Sequence, residues 1–72
     1  MDRQKMIGEN LKKARGNRSR EEIAKKAEIS VSAVQMYENG DRIPRDAIKI
    51  RLSRILGVSI VELFYPEIFF ES

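Results

Sequence analysis

The chain contains neither cysteine nor histidine. Without thiols it has no disulfide scaffold, no thiolate zinc site and no cysteine nucleophile. Without imidazole it lacks the usual general base and the commonest metal ligand. Scattered carboxylates remain as acid or base candidates, with no nucleophile converging on any of them. An enzyme is not expected, and no metal, cofactor or small-molecule substrate is implied. No apolar run approaches the roughly 20 residues of a membrane span, and the N-terminus lacks the apolar stretch of a signal peptide. No membrane association is expected, and the expected compartment is the cytoplasm.

Seventy-two residues make one domain with room for one small core and none for a deep cavity. The net charge of +3 favours nucleic acid only weakly. Its distribution is more informative, because the first 20 residues alone carry a net +5.

The most informative stretch runs from Ser19 to Gly40. Ser19 and Glu22 have the spacing of a capping box, which predicts a helix over about Arg20 to Ala27. Ser30 can cap a second helix from Val31, and Asn39-Gly40 supplies its left-handed stop. Only Glu28 and Ile29 lie between the two. Helical period turns Ile23, Ala24, Ala27, Val34 and Tyr37 inward. The opposite face of the second helix carries Ser32, Gln35, Met36 and Asn39, with Val31 at its N-terminal edge. None of these is charged, which is unusual for a surface helix and suits contact with base edges.

Ser-Arg-Glu-Glu-Ile-Ala, Ile-Ser-Val-Ser-Ala-Val and Tyr-Glu-Asn-Gly together resemble the phage-repressor (XRE-type) helix-turn-helix family, over about Ile7 to Tyr65. The resemblance implies an all-α, lambda-repressor-like DNA-binding domain, a compact bundle of five helices. Its third helix would enter the major groove while the second lies across the backbone. The expected base-contacting residues are Val31, Ser32, Gln35 and Met36; the expected phosphate contacts are Arg15, Arg20, Ser30, Asn39 and Arg42. Arg15 also stands where the family has an arginine that pairs with the glutamate matched by Glu38. Arg45 could face a phosphate or solvent. Two departures stand out. Glu28 occupies a common glycine position, where a non-glycine residue at positive φ costs on the order of 1 kcal/mol, and the loop Gly16-Asn17-Arg18 is short.

The remaining helices follow from period and caps. Arg3 to Arg15 carries one apolar stripe of Ile7, Leu11 and Ala14. Asp46 is expected to cap a fourth helix through Leu56, with Lys49, Arg51 and Arg54 outward and Gly57 beyond its end. Ile50 breaks that stripe and would face a neighbouring helix or a second subunit. Ser59 and Glu62 form another capping box for a short fifth helix, Ile60 to about Phe64, ending before Pro66.

Residues 1–65 are thus expected to form the domain, and residues 66–72 a short apolar C-terminal tail that either patches the core or contacts another subunit. Ile60, Phe64, Ile68, Phe69 and Phe70 are the expected dimer surface. The function implied is sequence-specific binding of double-stranded DNA by a homodimer, as a repressor-like switch of a prophage or mobile element. The competing expectation is a protein-interaction module, an antirepressor or antitoxin-like partner, on the same fold.

Overall fold

Side-chain oxygens set where four of the helices begin. The structure, a computed structural model, describes residues 2–69. Asp2 Oδ1 accepts from the Gln4 N–H at 2.9 Å and opens α1, Arg3–Arg15. Ser19 Oγ accepts from Glu22 N–H at 3.1 Å and opens α2, Arg20–Ala27. Ser30 Oγ takes Ala33 N–H at 3.0 Å and opens α3, Val31–Asn39. Helix α4 is Asp46–Leu56, and Ser59 Oγ takes Glu62 N–H at 3.1 Å to open α5, Ile60–Phe64. Each oxygen satisfies an amide that has no partner inside its own helix.

Two local expectations are corrected. Asp46 does not cap α4: Arg45 holds that position without a side-chain capping bond, and Asp46 is the first helical residue, where its charge favours the helix dipole. The chain also does not stop being helical at Pro66. A one-turn α6 runs Pro66–Phe69, making six helices and no strand among the described residues where five helices and a tail were expected. Proline ends α5, yet its fixed φ suits the first position of a new helix.

The core is Ile7 and Leu11 of α1, Ile23 and Ala27 of α2, Ile48, Leu52 and Leu56 of α4, and Leu63 and Phe64 of α5. Phe64 is completely buried, so it belongs to the core and not to an outer surface. Burying a side chain of that size contributes roughly 1.5–3 kcal/mol, a large share for so short a chain. Ile60 is half-buried against the same cluster. Lys49 is likewise not outward: its side chain is only 11% exposed, and its Nζ lies 4.9 Å from the Tyr65 ring centroid and 3.2 Å from Tyr65 Oη. The cation keeps a polar partner while its methylenes cover apolar surface. Ile68 remains exposed, Phe69 is at the margin of exposure, and Phe70 lies outside the described residues.

Helix α1 packs on α3 and α5, and α2 packs on α3 and α4. The α1–α3 contact depends on Gly8, because a Cβ there would lie 2.3 Å from the backbone oxygen of Glu38 and 2.9 Å from that of Tyr37. Between α2 and α3, Ile29 N–H bonds Ala24 O at 3.0 Å and Glu28 N–H bonds Lys25 O at 3.2 Å. This Schellman closure requires a left-handed residue, and Glu28 supplies it at φ 59° and ψ 43°. The short loop after α1 is closed by Arg18, which donates to Ala14 O at 3.0 Å and to Ile55 O at 3.1 Å.

Opposite outcomes are expected from two single substitutions followed by thermal unfolding. Gly8→Ala should destabilise by about 2 kcal/mol despite alanine's better helix propensity, because the obstacle is backbone. Glu28→Gly should stabilise by about 0.5–1 kcal/mol, the relief of a left-handed side chain less the entropy glycine gains when unfolded. A neutral Gly8→Ala would mean that α1 and α3 are not in close contact.

Candidate nucleic-acid interface

Helix α3 has two sharply different sides. Val34 and Glu38, four residues apart, point into the protein, and Tyr37 is half-buried beside them. The 100° step per residue then carries Ser32, Gln35, Met36 and Asn39 to the far side. Ser32, Gln35 and Asn39 are exposed, Met36 is half-buried, and Val31 sits half-buried at the edge. Ser30 is exposed at the N-terminus of the same helix, with its Oγ on the Ala33 amide. The expected readers therefore share one uncharged face. Arg42 and Arg45 are both exposed on the loop that follows.

The inner side is fixed by a carboxylate. Glu38 has a side chain 2% exposed, and two arginines reach it. Arg15 grips it with two nitrogens, Nε on Oε2 at 2.6 Å and Nη2 on Oε1 at 3.1 Å. Arg20 donates Nε to Oε1 at 2.9 Å. The third nitrogen of Arg15, Nη1, donates to Arg18 O at 2.7 Å. The Arg15–Glu38 pair is the one expected; the Arg20 arm is not, since Arg20 was expected to meet only a phosphate. Burial pushes the Glu38 carboxyl up, but the hydrogen bonds from Arg15 and Arg20 and their charges together outweigh it and hold it below the ordinary glutamate range. Arg15 is correspondingly raised by its hydrogen bond to Glu38, against the opposing effect of burial. One carboxylate thus ties α1, α2 and α3 together.

A family model described as helix-turn-helix matches residues 11–63, nearly three-quarters of the chain. The chain belongs to the XRE-type helix-turn-helix family. No curated protein and no solved structure gives a match. Membership makes the protein a DNA-binding transcription regulator of XRE type. Among the described residues no helix is long and apolar enough to cross a membrane.

In this helix-turn-helix regulator the N-terminal excess of positive charge is largely structural. Arg3 donates to Phe64 O at 2.7 Å and pairs with Glu67 at 3.1 Å, and Arg18 closes α1 onto α4. With Arg15 and Arg20 on Glu38, four of the seven cations among the first 20 residues hold the fold together. Arg51 does the same further on, donating to Ala27 O at 3.1 Å at the end of α2. Carbonyls at helix C-termini need donors, and cations there complement the dipole. No local pattern announces these bonds, because each joins residues far apart in the sequence. The exposed cations Lys5, Lys12, Lys13, Lys25, Lys26, Arg42, Arg45 and Arg54 carry more of the outward field than the sequence order suggests.

Glu38 generates a pH dependence whose sign is fixed by its lowered folded-state pKa. The ion triad stabilises fully above the unfolded glutamate value of about 4.3 and is lost as pH falls through the lower folded value. Glu38→Gln should cost about 3 kcal/mol near neutrality, since it leaves two arginines without their shared charge. The gap between parent and variant, measured by urea unfolding at a series of pH values, should shrink below about pH 4. A gap that stays constant into acid would mean that Glu38 is not ionised in the folded protein.

Proposed function

We propose that this regulator binds a specific double-stranded DNA operator as a homodimer and represses by occupying it, in the manner of a prophage or mobile-element switch. The observation that carries the reading is the exposed, uncharged face of α3 between a serine-capped start and a glycine stop. Gln35 can offer an amide donor and acceptor to an adenine edge, Ser32 a hydroxyl, and Met36 and Val31 apolar contact with a thymine methyl. Arg20, Ser30, Asn39 and Arg42 are the phosphate-side residues in this reading, which orient α3 without reading sequence, and Arg15 stands behind them with all three nitrogens on internal acceptors. Such a protein works where DNA is, in the cytoplasm of a bacterial cell.

One helix of this length reads only a few base pairs, so selectivity calls for two copies. Residues 66–72, with Val61 of α5, are the proposed contact between them; Val61 and Ile68 are exposed near that end of the fold. A two-fold pair of this motif places its third helices about 34 Å apart, so half-site centres should lie roughly 10 base pairs apart.

Selection from random duplex DNA tests both statements. The expected result is a pseudo-palindromic motif with that spacing. Ser32→Ala and Gln35→Ala should each relax preference at one position, losing about 1–3 kcal/mol of discrimination, while folding is little changed. Enrichment of no motif at all would favour the protein-interaction module, whose binding would also be nearly insensitive to salt, whereas DNA binding weakens steeply.

A further inference from the structure

Arg20 occupies a position that local physics disfavours. It is the first residue of α2, beside the amides that form the positive end of the helix dipole, where a cation is unfavourable. Glu38 stands in the last turn of α3, at the negative end, where a carboxylate is unfavourable too. The 2.9 Å bond between them offsets both. Exposure rises outward through the cluster, from 2% for the Glu38 side chain to 16% for Arg15 and 34% for Arg20. Each nitrogen of Arg15 already donates to an internal acceptor. Arg20 is bound through Nε alone, which leaves the terminal edge of its guanidinium as the outer face of the cluster. Three charges sum to one positive unit, and Arg20 is where that unit meets solvent.

We propose that Glu38 is a positioning residue for DNA binding: it holds Arg20 at the N-terminus of α2 so that the terminal guanidinium nitrogens meet a backbone phosphate while Nε stays on the carboxylate. The inference rests on the DNA-binding reading above. The first helix of the motif crosses the DNA backbone, which brings its N-terminus to a phosphate. An arginine can serve two oxyanions at once because its five donors lie in a rigid plane; a lysine, a single point charge, cannot do so in fixed geometry. In this chain the phosphate contact therefore moves outward from Arg15 to Arg20.

The test is binding of the full chain to fluorescently labelled random-sequence duplex DNA over a range of salt, at a temperature where circular dichroism shows every variant folded. Arg20→Gln should lower the slope of log K against log salt by about 0.9. Arg20→Lys should keep the slope but weaken binding about tenfold. In the cycle of Arg20→Gln, Glu38→Gln and the double variant, Glu38→Gln should weaken binding several-fold only while Arg20 is present. A slope unchanged by Arg20→Gln overturns the phosphate contact, and Arg20→Lys binding like the parent overturns the two-oxyanion role. Glu38→Gln strengthening the binding would show that the carboxylate competes with phosphate, which also overturns the proposal. If the parent protein itself shows no salt-dependent binding, the DNA-binding reading falls with it; if the parent binds and only these variants behave otherwise, this inference alone falls.

Discussion

The buried carboxylate of Glu38 is the constraint on which the rest of the arrangement depends. An ionised carboxylate with a 2% exposed side chain would be prohibitively unfavourable if unpaired, so its presence dictates that Arg15 and Arg20 be where they are. A well-packed apolar group could fill that space at equal or better stability. What the ion cluster adds is direction: bonds at 2.6, 2.9 and 3.1 Å fix α3 in rotation against α1 and α2, which an apolar contact would do only loosely. Gly8 completes the constraint by letting α1 reach the backbone of Glu38 itself. The face that carries Ser32 and Gln35 is thereby set from behind.

A fold of short helices has many ends, and every end exposes carbonyls that need donors. Long cationic side chains from neighbouring helices and from the loop after α1 supply them here. Arg51 reaches the end of α2, Arg18 the ends of α1 and α4, and Arg3 the end of α5, while Asn10 Nδ2 adds bonds to Glu62 O and Leu63 O. These bonds join helix to helix in places where a chain this short has little apolar area to spare. Charge in this protein is therefore partly mortar.

This explains which features were legible in the sequence. Ser19, Ser30 and Ser59 act on amides three residues away, so the starts of α2, α3 and α5 could be read from neighbours in sequence. The uncharged side of α3 followed from helical period alone, and the left-handed Glu28 from the family resemblance, which puts a common glycine position there. Lys49, by contrast, looked outward because lysines usually are, and only the assembled fold brings Tyr65 beneath it. Phe64 looked surplus because period cannot say how much apolar area a core will absorb. Gly8 was silent for a different reason: a missing side chain carries no pattern until the opposing backbone is known. The resemblance gave Arg20 a phosphate as its expected partner, while Glu38, eighteen residues away, was a second partner that sequence order hid.

The same division bears on how such a small domain could be selective. Backbone contacts raise affinity for all DNA alike, and each one steepens the dependence on salt. A chain that commits Arg3, Arg15, Arg18 and Arg51 to its own carbonyls and carboxylate keeps fewer cations for phosphates than its composition implies. Under the proposed function, its hold on arbitrary sequence is correspondingly limited. On the proposed reading, contacts to base edges from Ser32 and Gln35 then account for a larger fraction of total binding than they would on a more basic surface. Occupancy of one site must still outweigh the many competitors of a genome, and the surest way to multiply a small per-helix preference is to bind two half-sites at once. Under the proposed function, weak backbone affinity and pairing of two copies are therefore linked requirements, both following from arginines that serve the fold before they serve the DNA.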